Sequence, residues 1–124
     1  MPPATSPQIR HFKSTDKMAL NALGTGTWVT ELGTTGVKSE YTGGMFEKDA
    51  TSDPVNNKNG ATQSEWKYII SGEWHIRTDT GKDIIARVGD VVFVPKGAIF
   101  SSSPSPFRAF FVASRSSKPH LAKL

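Results

Sequence analysis

The chain has 124 residues, no cysteine and a formal net charge of +4, a size that suits one domain with a single core. The lack of cysteine excludes disulfides and thiolate metal sites. The sequence contains no run of about 18 apolar residues, so it predicts no membrane span. The excess positive charge lies in residues 1–20 and 113–124, so no basic stripe crosses the middle of the chain and nucleic-acid binding is not expected.

The N-terminal half predicts an arm, a helical turn and the first strands. Residues 1–15 contain three prolines and are expected to form an extended arm. Asp16 is placed to cap a short helical turn over residues 16–23, which Gly24 ends. Three strands are expected next, over residues 28–32, 37–41 and 45–47. A polar loop is expected to follow them, over residues 49–62.

The C-terminal half is typical of short strands joined by tight turns. Five segments rich in β-branched and aromatic residues are expected to be strands: 66–70, 74–76, 84–85, 91–94 and 107–112. Strands at this spacing, with no helical period, predict an all-β sandwich or barrel over residues 16–113. Residues 114–124 are polar and basic and are expected to form a flexible tail.

Two motifs in this half resemble those of a known family. Residues 89–97, GDVVFVPKG, resemble the second motif of the cupin superfamily, Gly-x5-Pro-x-Gly-x2-His, and Glu65 precedes Gly72 as the Glu precedes the Gly of the first motif. Over residues 65–113 the chain is similar to small cupins of the ethanolamine-utilisation protein Q type. The resemblance implies a single-domain jelly-roll, an antiparallel β-barrel with a lumen.

The metal ligands of that family are mostly replaced here. Metal-binding cupins supply His-x-His shortly before the Glu of the first motif, and a last His in the second motif. The corresponding positions hold Asn59 and Ala61 (or Lys58 and Gly60), and Phe100. Only Glu65 remains, and one carboxylate does not hold a transition metal, because such sites need three or four protein donors. The sequence therefore predicts no metal site and no other cofactor.

Residues 65–70 present two different faces, because alternate side chains of a strand point in opposite directions. Hydrophobicity alone predicts that the aromatic face of Trp66 and Tyr68 is core and that the face of Glu65 and Lys67 meets water. The cupin resemblance implies the reverse, with Glu65 in the lumen. The aromatic face, extended by Trp74, would then need cover, and we expect a homodimer to supply it.

The expected function is that of a metal-independent small cupin that binds a small organic molecule in its lumen. Under this hypothesis it is an enzyme of the isomerase, cyclase or lyase type, with Glu65 as base and Lys67 as its acid partner. Further side chains are expected to line the lumen and contact the substrate: Tyr41, Met45, Glu47, His75, Arg77 and Phe100.

Two alternatives stay open at this stage. The first is a non-catalytic ligand-binding or scaffolding cupin, in which Glu65 and Lys67 form a static pair. The second is a metal-dependent cupin whose ligands are His75, Glu47 and Glu65. Metal analysis and a Glu65→Gln variant would separate them.

The last three residues, 122–124, are Ala-Lys-Leu. They resemble the C-terminal peroxisomal address, in which a receptor reads a small residue, a basic residue and a terminal Leu. The sequence shows no signal peptide. We therefore expect an intracellular protein, peroxisomal in a eukaryote and otherwise cytoplasmic.

Overall fold

The computed structural model describes residues 10–13, 21–24, 27–31, 41–51, 55–56 and 59–114. Within these ranges the chain forms β-strands and no helix. The strands are β1 (Asn21–Gly24), β2 (Thr27–Glu31), β3 (Tyr41–Lys48), β4 (Val55–Asn56), β5 (Glu65–Gly72), β6 (Trp74–Thr78), β7 (Asp83–Ala86), β8 (Val91–Val94), β9 (Phe100–Ser102) and β10 (Phe107–Ser114).

The described strands form two sheets, and every strand pair in them is antiparallel. The larger sheet has the order β1-β2-β3-β10-β5-β8, and the smaller sheet has the order β4-β9-β6-β7. Neighbours in each sheet are mostly distant in sequence, so the chain crosses repeatedly between the sheets, as in a jelly-roll. This arrangement confirms the predicted all-β, single-domain antiparallel barrel.

Apolar side chains from both sheets line the space between them, which we call the lumen. The buried cluster consists of Val29, Phe46, Ile69, Trp74, Ile76, Ala86, Phe107, Ala109, Phe111 and Ala113. The Phe107 ring centroid lies 5.5 Å from that of Phe46 and 5.4 Å from that of Trp74. These three rings join the two sheets, because Phe46 and Phe107 belong to the larger sheet and Trp74 to the smaller one.

A β-bulge near the end of β5 changes which residues face the lumen. Consecutive residues of β10 pair with Ser71 and then with Ile69, so Ile70 is an extra residue in the ladder. Before the bulge the odd-numbered residues face the lumen. After it the even-numbered residues Trp74 and Ile76 of β6 do so, and they are 4% and 7% exposed.

Gly72 then carries the chain from the larger sheet into the smaller one. Its φ of +73° lies in the left-handed region that favours glycine. A Cβ at this position would collide with the carbonyl oxygen of Pro106, to which the amide of Glu73 donates a hydrogen bond of 3.2 Å. The crossing between the sheets therefore depends on the missing side chain.

Three predicted elements differ from the observed ones. The expected loop over residues 49–62 contains the short strand β4, which pairs with β9. Residues 41–48 form one continuous strand rather than two segments separated at Gly43 and Gly44, because β10 pairs with β3 along its whole length and overrides the low strand preference of glycine. Residues 21–24 form β1, where the end of a helical turn was expected.

The predicted arm over residues 1–15 and the tail over residues 114–124 lie almost wholly outside the described residues, so these boundaries stay predictions. The Ala-Lys-Leu tripeptide also lies outside them. Comparing where fluorescent fusions with and without residues 122–124 accumulate in a eukaryotic cell would test the peroxisomal address. None of the described segments forms a helix with the length and apolarity that crossing a membrane requires.

Candidate active site in the lumen

The lumen contains a buried ion pair on β5. Lys67 and Glu65 stand two residues apart on the inward face of the strand, and the Lys67 ammonium contacts the Glu65 carboxylate. Their side chains are 8% and 14% exposed, so both groups are largely withdrawn from water. The placement agrees with the cupin resemblance. The prediction from hydrophobicity alone is wrong, since Trp66 and Tyr68 are 53% and 49% exposed on the outer face.

Two aromatic rings surround the ammonium group of Lys67. Its Nζ lies 4.7 Å from the ring centroid of Phe46 and 5.0 Å from that of Trp74. Both distances are within the range of cation–π attraction, which contributes about 2 kcal/mol or more where the cation is desolvated. The ammonium is therefore held between two ring faces and one carboxylate, inside the core.

Burial changes the acidity of this lysine. Desolvation lowers the pKa of Lys67 from 10.5 to about 7, and the nearby positive charge of Lys48 acts in the same direction. The Glu65 carboxylate favours the charged form and opposes both effects. With a pKa near neutrality, Lys67 is able to hold a proton or release it at physiological pH, which is what acid–base chemistry requires.

Two polar residues of the lumen, Thr42 and Lys48, were not predicted from the sequence. Both lie on the inward face of β3, and they are 2% and 6% exposed. Within the described part of the chain, the Thr42 hydroxyl has no hydrogen-bond partner. Desolvation lowers the pKa of Lys48. The alternation of inward and outward side chains along β3 could have revealed both residues. Gly43 and Gly44 have no side chains, however, so the sequence does not show which alternate residues face inward.

The same phase error explains three wrong placements. Tyr41, Met45 and Glu47 were expected in the lumen, but they alternate with the inward residues of β3. Met45 is buried, at 7% exposed, but it is not part of the cluster that lines the lumen. Tyr41 is 59% exposed, and Glu47 lies 3.7 Å from the Arg108 guanidinium.

His75 and Arg77 were also expected in the lumen and are on the outer face of the smaller sheet. The bulge in β5 shifts the alternation by one residue, which turns Trp74 inward and these two side chains outward. His75 Nε2 lies 3.1 Å from Glu73 Oε1, and Arg77 pairs with Asp83 at 2.9 Å. Trp74 was assigned to the outer dimer face, and this placement is wrong for the same reason.

Phe100 is partly buried and packs against the cluster that lines the lumen. Its ring packs edge-on against Trp74 with the centroids 6.2 Å apart. It stands where a metal-binding cupin has its last histidine, so an apolar ring occupies the place of a nitrogen donor.

The donors present do not fit a transition metal. Glu65 is engaged by a lysine ammonium, and a metal cation beside it would be repelled by that charge. The alternative ligand set of His75, Glu47 and Glu65 is not assembled, because the first two lie on outer faces. Within the described ranges, no three His, Cys, Asp or Glu side chains are grouped as a metal site requires.

The loop that carries paired histidines in metal-binding cupins has a structural role in this chain. Ala61 exchanges backbone hydrogen bonds with the turn after β8, donating to Ala98 O at 2.9 Å and accepting from Gly97 N at 2.7 Å. A Cβ at Gly60 would lie 2.7 Å from the Gly97 carbonyl oxygen, so only glycine allows this approach. Asn59 is exposed.

Two facing antiparallel sheets that enclose a polar centre define this protein as a cupin. A family model for the EutQ-like cupin domain matches residues 51–114, just over half of the chain, and the chain belongs to that family. A comparison with curated proteins returned no match.

Solved structures agree with this assignment. A protein described as ethanolamine utilization protein Q from Salmonella typhimurium LT2 is 29% identical with a TM-score of 0.57, covering 71% of this chain and 68% of that one. The Clostridium difficile EutQ protein is 26% identical with a TM-score of 0.59, covering 71% and 67%. The polyketide cyclase RemF from Streptomyces resistomycificus shares the fold at 19% identity, with a TM-score of 0.69 over 90% and 83%.

The lowered pKa of Lys67 predicts a pH-dependent stability. Between pH 7 and 10.5 the unfolded chain keeps the lysine proton and the folded chain releases it, so the free energy of unfolding should rise with pH. Lys67 adds at most about 1.4 kcal/mol per pH unit to the slope of the free energy of unfolding against pH. It adds nothing to the slope below pH 7, where both states hold the proton. Urea unfolding at pH 6.5, 7.5 and 8.5 measures it.

The matched control is a Lys67→Met variant, which keeps the apolar stem and removes the titrating group. Its slope should be flatter than that of the wild type, whereas Lys82→Met, at an exposed turn, should leave the slope unchanged. Equal slopes for wild type and Lys67→Met would contradict the pKa assignment.

Proposed function

We propose that this cupin binds a small organic molecule in its lumen and acts on it by acid–base chemistry that uses Glu65 and Lys67. The observation that carries the proposal is the buried Lys67–Glu65 pair among aromatic rings. Apolar sites with a few convergent polar groups and a perturbed pKa are where small-molecule chemistry is most often found. The reaction class is proton transfer at carbon, as in isomerisation, cyclisation or elimination.

The two groups suit complementary steps of such a reaction. The Glu65 carboxylate would accept a proton from a C–H bond next to a carbonyl, and the electrons of that bond would move to the carbonyl oxygen. The Lys67 ammonium would then stabilise or protonate this oxygen, which is possible because its pKa is about 7. A second proton transfer, from Glu65 to another carbon, would complete an isomerisation, and any proton given to the oxygen would return to Lys67 as the carbonyl re-forms.

A non-catalytic cupin remains the competing proposal, and one observation favours it. The Lys67 ammonium already contacts one carboxylate and two rings, so the group is satisfied without any ligand. A static pair of this kind would still bind a polar molecule. The two proposals differ in whether Glu65 exchanges protons with the bound molecule.

Hydrogen–deuterium exchange on candidate substrates detects that difference, because it follows the proton transfer itself rather than formation of a final product. In D₂O, small keto acids, keto esters and ketones are incubated with the protein, and loss of the α-proton signal is followed by NMR. We expect catalysed exchange for at least one compound and a decrease of about 10²-fold or more in Glu65→Gln, because the amide cannot accept the proton.

Glu73→Gln is the matched control, since it removes a carboxylate from the outer surface of the barrel and should leave exchange unchanged. Glu65→Gln leaves the Lys67 charge unpaired, which could unfold the protein. The double variant Glu65→Gln/Lys67→Met removes that unpaired charge, and near-UV circular dichroism checks that both variants are folded. Equal exchange by wild type and a folded Glu65→Gln would exclude the catalytic role. Compounds that bind without exchange would support the non-catalytic cupin.

We also propose that a second copy of the chain covers the outer face of the larger sheet. Its exposed apolar side chains are Trp66, Tyr68, Ile70, Val91, Phe93 and Phe110. The Trp66 and Phe93 ring centroids are 4.5 Å apart, and these six side chains carry no charge. A two-fold contact would place this apolar patch on its own copy, which needs no charge complementarity.

Light scattering coupled to size-exclusion chromatography tests this contact. The wild type should have twice the mass of the 13.5 kDa chain, and Trp66→Glu should shift the protein to the monomer mass, because a charge buried in the contact is costly. Ile85→Glu introduces the same charge at a 41% exposed position of the smaller sheet and should leave the dimer intact. A monomeric wild type would exclude the proposed contact.

A further inference from the structure

Lys48 is a buried cation for which no ion-pair partner is found among the side chains that the structure describes. It is 6% exposed and lies on the inward face of β3, two residues after Phe46. Among the side chains that the structure describes on the inward faces of the strands, the other ionisable groups are Lys67 and Glu65, and these two pair with each other. In this part of the chain the lumen therefore holds two basic groups and one acidic group.

Three of the cations on the outer surface do have carboxylate partners. Guanidinium groups there stand beside carboxylates, in the pairs Arg77–Asp83, Arg87–Glu73 and Arg108–Glu47. These pairs are exposed or half-exposed, where water alone would solvate the charges. Among the described side chains, Lys48 thus lacks a counter-ion at a buried position, where an unpaired charge is most destabilising.

That cost is large enough to require an explanation. A lysine that is only 6% exposed and has no anionic partner among the described side chains loses part of the hydration of its charge, which favours release of its proton or binding of an anion. Desolvation lowers the pKa of Lys48, and the Lys48 charge in turn lowers the pKa of Lys67. An anion placed between the two ammonium groups would relieve both the desolvation and the repulsion.

We propose that the ligand of the lumen is an organic anion with an apolar body, whose carboxylate pairs with Lys48. The apolar body would lie against the rings of Phe46, Phe107 and Trp74, and the reacting carbon would lie at Glu65. Thr42, whose buried hydroxyl has no hydrogen-bond partner in the described part of the chain, lies in line with Glu65 across Ala113 and offers a donor at that end of the ligand. This inference rests on the proposed function and narrows its substrates to organic acids.

Isosteres that differ in charge test the inference with defined probes. Benzoate, benzamide and benzamidine have nearly the same shape and carry charges of −1, 0 and +1, and acetate and acetamide form a smaller pair. Isothermal titration calorimetry with the full chain should show that the acid binds about tenfold tighter than its amide, or more, since a hydrogen bond to a charged group contributes about 1.5–3 kcal/mol. Benzamidine should bind most weakly.

Three variants assign the preference to Lys48. Lys48→Met should bind benzoate and benzamide equally and should fold, because an apolar side chain of similar length is tolerated in place of a buried charge. Lys48→Arg should retain the preference, since it keeps the positive charge. Lys82→Met removes an exposed lysine and should behave as the wild type.

These measurements distinguish a failure of the organic-anion proposal from a failure of the proposed function. No preference for the acid in either pair, or a preference that persists in Lys48→Met, would overturn it, while proton exchange by Glu65 on neutral ketones would be unaffected. Sodium sulfate at matched ionic strength distinguishes an organic ligand from an inorganic one. Sulfate that binds as tightly as benzoate would also overturn the proposal of an organic anion.

Discussion

The contact between Lys67 and Glu65 brings two ionisable groups into the core of the barrel, and the surrounding structure is arranged to tolerate them. Each group would be costly there without the other, because removing one partner leaves an uncompensated buried charge. The rings of Phe46 and Trp74 come from different sheets and meet at this ammonium. The polar centre and the packing between the sheets are therefore parts of one arrangement.

The path of the backbone fixes this arrangement. The inward phase of β5 places Lys67 and Glu65 in the lumen, and the bulge at Ile70 then reverses the phase so that Trp74 turns in to meet them. Without that extra residue His75 would face inward and the ring contact would be lost. Gly72 permits the crossing that follows, since a Cβ there would collide with the backbone of residue 106. Function and fold are thus coupled over a short stretch of chain.

The strands and turns of the C-terminal half were predictable from the sequence, since β-branched and aromatic segments alternate there with glycine-containing turns. The orientation of β5 was not predictable from hydrophobicity, which favours a buried aromatic face; the family motif around Glu65 supplied it. Sequence periodicity does not reveal the bulge, because it depends on how β10 pairs with β5. For this reason the placements of His75, Arg77 and Trp74 were wrong.

The phase of β3 was also hidden from the sequence, for a different reason. Gly43 and Gly44 contribute no side chain to the pattern, and Met45 and Phe46 are adjacent apolar residues that point to opposite faces. Only the register with β10 shows that Phe46 and Lys48 are inward. A lysine in a strand is ordinarily assigned to the surface, and so the second cation of the lumen was missed.

Lys67 is a buried group able to exchange its proton near neutral pH, and an NMR titration measures this property. In protein labelled with ¹³C at the lysine ε-carbons, the signal that disappears in Lys67→Met is followed from pH 5 to 11. A midpoint near 7, well below the ordinary value of 10.5, agrees with a desolvated acid–base centre in the lumen. A midpoint near 10.5 or above would show that the pair is a permanently charged structural contact, and would contradict an acid–base role for Lys67.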